Sequence, residues 1–131
     1  MSYKMHPKQL ENVFALSSKE RYEHFIIKVC DWEELWILES KEEKFLTVHL
    51  EPNIGYIPVW PHPEYAIAYA EDSEKYVPTR LAIDLFIERW LPGLHKDNIQ
   101  VGVLPNLETT VWIIDPLDLK ADLELGLKEH E

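Results

Sequence analysis

With 131 residues, 46% of them apolar and five Trp, six Tyr and four Phe among them, the chain has the length and the large side chains for one core-forming domain over 1–131, which excludes disorder as a description of the whole. Its 13 Lys and Arg stand against 24 Asp and Glu, a formal charge of −11 that repels phosphate backbones and anionic bilayers and argues against nucleic acid and membrane as partners. Cys30 is the sole cysteine, which excludes an intrachain disulfide and any multi-thiolate centre; with no apolar leader in residues 1–10 and no run of about 20 apolar residues, a reducing, cytoplasmic location is expected.

Leu10, Val13 and Phe14 recur at helical spacing and predict a first helix. Ser17, followed three residues later by Glu20, forms a capping box that satisfies two backbone N–H groups, so a second helix starts there. Its apolar stripe is Tyr22, Phe25, Ile26 and Val29, with Lys19, Glu20, Glu23 and Lys28 elsewhere on the cylinder. Capping accounts for Ser17 and Ser18, which no nucleophile elbow surrounds. Cys30 ends the stripe and is expected to be an inert packed side chain, its thiol pKa raised by Asp31, Glu33 and Glu34.

From Leu35 the period changes to two. Residues 35–38, a turn over 41–44, and Leu46, Val48 and Leu50 alternating with Thr47 and His49 predict a hairpin with one wet face. Pro52, Asn53 and Gly55 then punctuate the chain. The next apolar run, 56–60, contains Pro58, which cannot donate to a ladder and so predicts an edge strand. Pro63 suits the first turn of a short helix carrying Glu64, Tyr65, Ala68 and Tyr69 and ending near Asp72.

Residues 80–83 read as a brief strand, with Asp84 as cap of a helix whose Ile87 and Leu91 face inward until Pro92 and Gly93 stop it. A second hairpin is predicted from 101–104 and 111–114, joined through Pro105 and Asn106. Asp115 as cap and Pro116 as first helical residue open a last helix with Leu119, Leu123 and Leu127 on one stripe; Asp115 and Asp118 are a cap and a dipole partner there. The expected fold class is α+β: a twisted, mainly antiparallel sheet with about five helices packed on it, without a βαβ rhythm.

Three stretches, R-Y-E-H-F-I-I-K-V-C-D-W-E-E-L-W over 21–36, I-P-V-W-P-H-P-E-Y-A over 57–66 and W-L-P-G-L over 90–94, resemble in order and spacing the bacterial family known as domain of unknown function 2750. More distantly, the succession of strand, Pro-initiated helix, strand, longer helix and hairpin is similar to the N-terminal domain of SseB-like proteins, which implies an association with protein interaction. Neither likeness implies a reaction, a cofactor or catalytic residues.

The best candidate surface is the strand-to-helix corner of Trp60, His62, Glu64 and Tyr65, where Pro61 and Pro63 fix the backbone beside an aromatic, an imidazole and a carboxylate. The competing reading has Trp60 in the core, His62 as cap and Glu64 on the helix dipole. His62 and Glu64 point about 200° apart on a helical turn, and no third ligand accompanies them, so no metal or other cofactor is expected. Trp32 and Trp36, framed by Asp31, Glu33 and Glu34, would share one side if the helix continued and could hold a cation, or else fill the helix-to-strand corner. The four glycines are too far apart for a phosphate loop.

Two function classes follow. The first is a non-enzymatic protein-interaction module, of adaptor or immunity type, that takes a basic protein partner by virtue of its acidic balance. The second is a small-ligand-binding protein or enzyme with a pocket beside Trp60, His62 and Glu64, walled by Trp90 and Trp112. Pro58 at a sheet edge also makes a homodimer conceivable.

Overall fold

The computed structural model describes residues 7–42, 44–51, 54–70, 75–106 and 111–129. Helix α1 (Pro7–Phe14) carries Val13 and Phe14 into the core, and α2 (Ser18–Trp32) follows it. The capping box forms as the residue pattern requires: the Ser17 N–H donates to Glu20 Oε1 and the Glu20 N–H to Ser17 Oγ, both at 3.2 Å. These bonds, the backbone one first, hold the Glu20 carboxyl below its ordinary pKa. Phe25 and Val29 are buried, and Tyr22 and Ile26 lie against the core's margin.

Among the described residues six strands follow: β1 (Glu34–Ser40), β2 (Val48–Glu51), β3 (Ile54–Val59), β4 (Tyr76–Ala82), β5 (Gln100–Val103) and β6 (Trp112–Ile114). They build two sheets rather than one. A four-stranded sheet runs in the order β2-β3-β5-β6, and a two-stranded ribbon pairs β1 with β4. Among the described strands only β3 and β5 are parallel, Tyr56 to Val59 facing Gln100 to Val103. The fold is thus α+β and mainly antiparallel, as the element order implies.

The pairing corrects the predicted first hairpin. After the turn, Leu46 N–H still donates to Leu38 and Ser40 N–H to Lys44, each at 2.8 Å, but β1 then takes β4 along its whole length and β2 takes β3. Alternation identifies a strand's faces and leaves its partner open. The predicted brief strand at 80–83 is, over 80–82, the end of this longer β4, while Ile83 already opens the next helix.

Strand β3 is corrected from edge to interior, and Pro58 explains how an interior strand admits it. Val59 accepts from the Leu104 N–H at 2.8 Å, so Ile57 and Val59 address β5. Tyr56, Pro58 and Trp60 address the other side, where Tyr56 faces Val48 of β2 and Trp60 exchanges two hydrogen bonds with Trp36 of β1 at 2.8 and 3.0 Å. Pro58 falls between the two, where β2 has left and β1 has not yet arrived. Its missing N–H is spent at the seam between the sheets. Across the strand from it, Gly102 is obligatory: a Cβ there would lie 2.2 Å from Cδ2 of the Tyr56 ring.

Helix α3 (Pro63–Tyr69) returns the chain to β4; it ends at Tyr69, and Asp72, like Pro52 and Asn53, lies outside the described residues. A helical run then spans α4 (Ile83–Leu85), a π-helical turn (Phe86–Trp90) and α5 (Leu91–Lys96). Two expectations change here. Asp84 is not the cap: the N-cap is Ala82 without a side-chain bond, because the Glu33 carbonyl takes the Ile83 N–H at 3.1 Å, and Asp84 instead bonds Leu85 N–H. Nor do Pro92 and Gly93 end the helix. The Leu91 N–H reaches back five residues to Phe86, and this widened turn admits the Pro92 ring at the start of α5.

Helix α6 (Pro116–Glu129) opens as read, Leu117 N–H donating to Asp115 Oδ1 at 2.9 Å. Leu119 and Leu123 are buried, and Leu127 is partly so. One continuous core joins α1, α2, α3, the run over 83–96, α6 and both sheets. No helix among the described residues is long and apolar enough to cross a membrane.

Candidate functional site

Strand β3 delivers Trp60 into the core, fully buried, where its indole N–H donates to the Pro105 carbonyl at 3.4 Å and its ring meets Tyr69 at 5.2 Å. His62 is the N-cap of α3, in extended conformation, its Nδ1 accepting the Glu64 N–H at 3.3 Å. At 2% exposure it stands edge-on to Trp32 at 6.0 Å and to Tyr65 at 6.4 Å. Tyr65 is buried in turn against Phe14. The corner thus brings Trp60, His62 and Tyr65 together inside the molecule, while Glu64 stays half-buried in the first turn. Cap and core are what these contacts do chemically.

Trp36 sits one strand away. Helix α2 ends at Trp32 with Glu33 left-handed (φ 57°), so Trp32 and Trp36 do not share a helix face. Instead Trp36 donates its indole N–H to Glu34 Oε2 at 3.1 Å, and Arg80 Nε pairs with Glu34 Oε1 at 2.9 Å. Glu34 is buried, and these two donors from neighbouring strands compensate its charge. Trp90 packs on Phe45 at 5.1 Å, and Trp112 packs on Tyr22 at 5.5 Å in the α2 and α6 layer. There the Tyr22 hydroxyl bonds Asp122, and burial, reinforced by Asp122 and Asp118, pushes the phenol's pKa well up.

Cys30 is buried with its thiol pKa raised, by burial first and by Glu129 second, rather than by the three acids beside it in sequence. Its Sγ donates to the Leu123 carbonyl at 3.6 Å where α2 crosses α6.

Two groups escaped sequence reasoning. Arg21, only 1% exposed, donates from Nε to the Leu104 carbonyl at 2.9 Å and from Nη1 to the Leu16 carbonyl. Beside it Asn106 donates to the Phe14 carbonyl at 3.3 Å. Together they tie the turn between α1 and α2 to the end of β5. The second group lines an open cleft of about 580 Å³ between α1 and α2: Lys8, Gln9, Asn12, Val13 and Leu16 from the first helix and its turn, His24 and Lys28 from the second. Burial first, then the Lys28 charge, holds the His24 pKa below its ordinary value. Lys28 Nζ also stands 5.5 Å over the Trp32 ring, linking the cleft to the His62 corner. The signal was present as paired polar residues four apart, Lys8 with Asn12 and His24 with Lys28.

Among the described residues no group of three or more His, Cys, Asp and Glu is placed to hold a metal ion. A family profile described as Protein of unknown function (DUF2750) matches residues 22–123. No curated protein matches the chain.

Proposed function

Since the chain belongs to the DUF2750 family, whose description assigns no activity, we propose that it works as a protein-interaction module, of adaptor or immunity type, that docks a basic segment of another protein. The observation that supports this reading is the outer face of α6. Leu117, Ala121 and Leu125 are exposed at four-residue intervals, Leu125 by 56%. Asp118, Asp122, Glu124 and Glu129 flank them. An apolar stripe bordered by acids suits an amphipathic partner bearing Lys or Arg, the apolar contacts supplying affinity and the charges steering the encounter.

The test is site-specific photo-crosslinking from position 121 in the native host. The expected product is a basic protein whose capture weakens at raised salt and is lost in the Leu117→Asp and Leu125→Asp variants. A cross-link to a second copy of this chain, or capture indifferent to both substitutions, would overturn the reading.

A further inference from the structure

We propose that the outer edge of β4 is a self-association surface, at which a second copy of this chain adds its own β4 antiparallel across a two-fold axis at Thr79. Trp36 turns its N–H and C=O to Trp60, so its β4 neighbour Arg80 forms no main-chain bond with it and directs both groups away from β1. Alternation gives Tyr76, Pro78 and Ala82 the same direction. Among the described residues β4 pairs with β1 alone, and helix α3, which packs against this ribbon, adds no main-chain bond to the edge. Within β4 only Leu81 is buried, and Val77 is 50% exposed.

An unpaired edge invites another strand, and proline is a common guard against it. Here Pro78 removes one donor and leaves those of Tyr76, Arg80 and Ala82. With the axis at Thr79, Pro78 lies opposite Arg80 of the second copy and Tyr76 opposite its Ala82, so a ladder of eight bonds loses only the two that need a Pro78 N–H. An axis at Arg80 would oppose two like charges, and one at Pro78 would oppose two residues without donors. In the Thr79 register each Arg80 keeps its own Glu34, and Val77 is covered by the opposite Leu81. That register also sets each exposed Lys75, just before the strand, beside the exposed Asp84 that follows the other copy's strand, so both ends of the pairing join opposite charges.

Light scattering of the full-length protein at about 100 µM should give twice the chain mass. Ala82→Pro suits a residue already at φ −68° and deletes an outward N–H; with circular dichroism unchanged, it should weaken the dimer about tenfold. Thr79→Lys, which opposes like charges on the axis, should give monomer. Under mild oxidation Thr79→Cys should link two copies, since residues opposed on the axis lie within disulfide reach, whereas Val77→Cys, displaced along the strand from its counterpart, should not; Cys30 is buried and out of reach. A monomer at that concentration, including one that captures an extended segment of another protein, would overturn the proposal. So would a dimer unchanged by both Ala82→Pro and Thr79→Lys, or linkage through Val77→Cys as ready as through Thr79→Cys. The α6 face is probed separately from position 121, so either reading can fail without the other.

Discussion

Arg21 and Leu104, 83 residues apart, are joined by a 2.9 Å bond from the guanidinium Nε to a main-chain carbonyl inside the protein. Leu104 holds a left-handed conformation (φ 47°), costing about 1 kcal/mol, and that turn lets its N–H bond Val59 while its carbonyl meets Arg21. Replacing Arg21 by Met leaves one buried and one partly buried carbonyl without their donor and should lower stability by about 2 kcal/mol in urea unfolding. Arg21→Lys should recover less than half of this, since one ammonium cannot reproduce the fork. A neutral Arg21→Met would refute the staple.

The crossing of α2 and α6 depends on Gly126, where a Cβ would stand 2.6 Å from Cys30 Sγ. Gly126→Ala alone should destabilise by about 1 kcal/mol, the clash outweighing the gain in helix propensity. In a Cys30→Ala background the same substitution should become stabilising, by up to about 1 kcal/mol. A double-mutant cycle without this change of sign would mean that the helices simply separate.

For His24, burial and Lys28 place the folded-state pKa below the ordinary 6.5. Protons therefore bind the unfolded chain more readily. The His24 contribution to stability is complete above pH 6.5 and is lost as pH falls through the folded-state value. Thermal melts of wild type and His24→Gln at intervals below neutrality should show the wild type losing Tm faster. Parallel curves would assign the acid sensitivity elsewhere.

Much of the fold was legible because caps and prolines act locally. Ser17 with Glu20 and Asp115 with Pro116 need only their own helix turns, and the structure places all four as read. Strand partnership was not legible, because β1 could satisfy the same alternation beside β2 or β4. Pro58 was read rightly for its missing donor and wrongly for its place, since a change of partner midway along β3 makes a gap without making an edge. Pro92 misled for a similar reason: a π-helical turn is a tertiary accommodation with no sequence mark of its own.

The candidate site divides the same way. His62 as a cap could be inferred from Pro63 beside it. Nothing in the residue pattern sets Arg21 apart from the other charges of its helix, and nothing short of the α1 to α2 angle could bring Lys8 and Lys28 to one cleft.

Because β3 serves two sheets in succession, the paired backbones of Trp36 and Trp60 couple the end of β3 to β1, so loosening of one sheet is felt by the other there. The amides of these two residues should therefore exchange with deuterium only when the whole molecule opens, and fraying from either side should halt there.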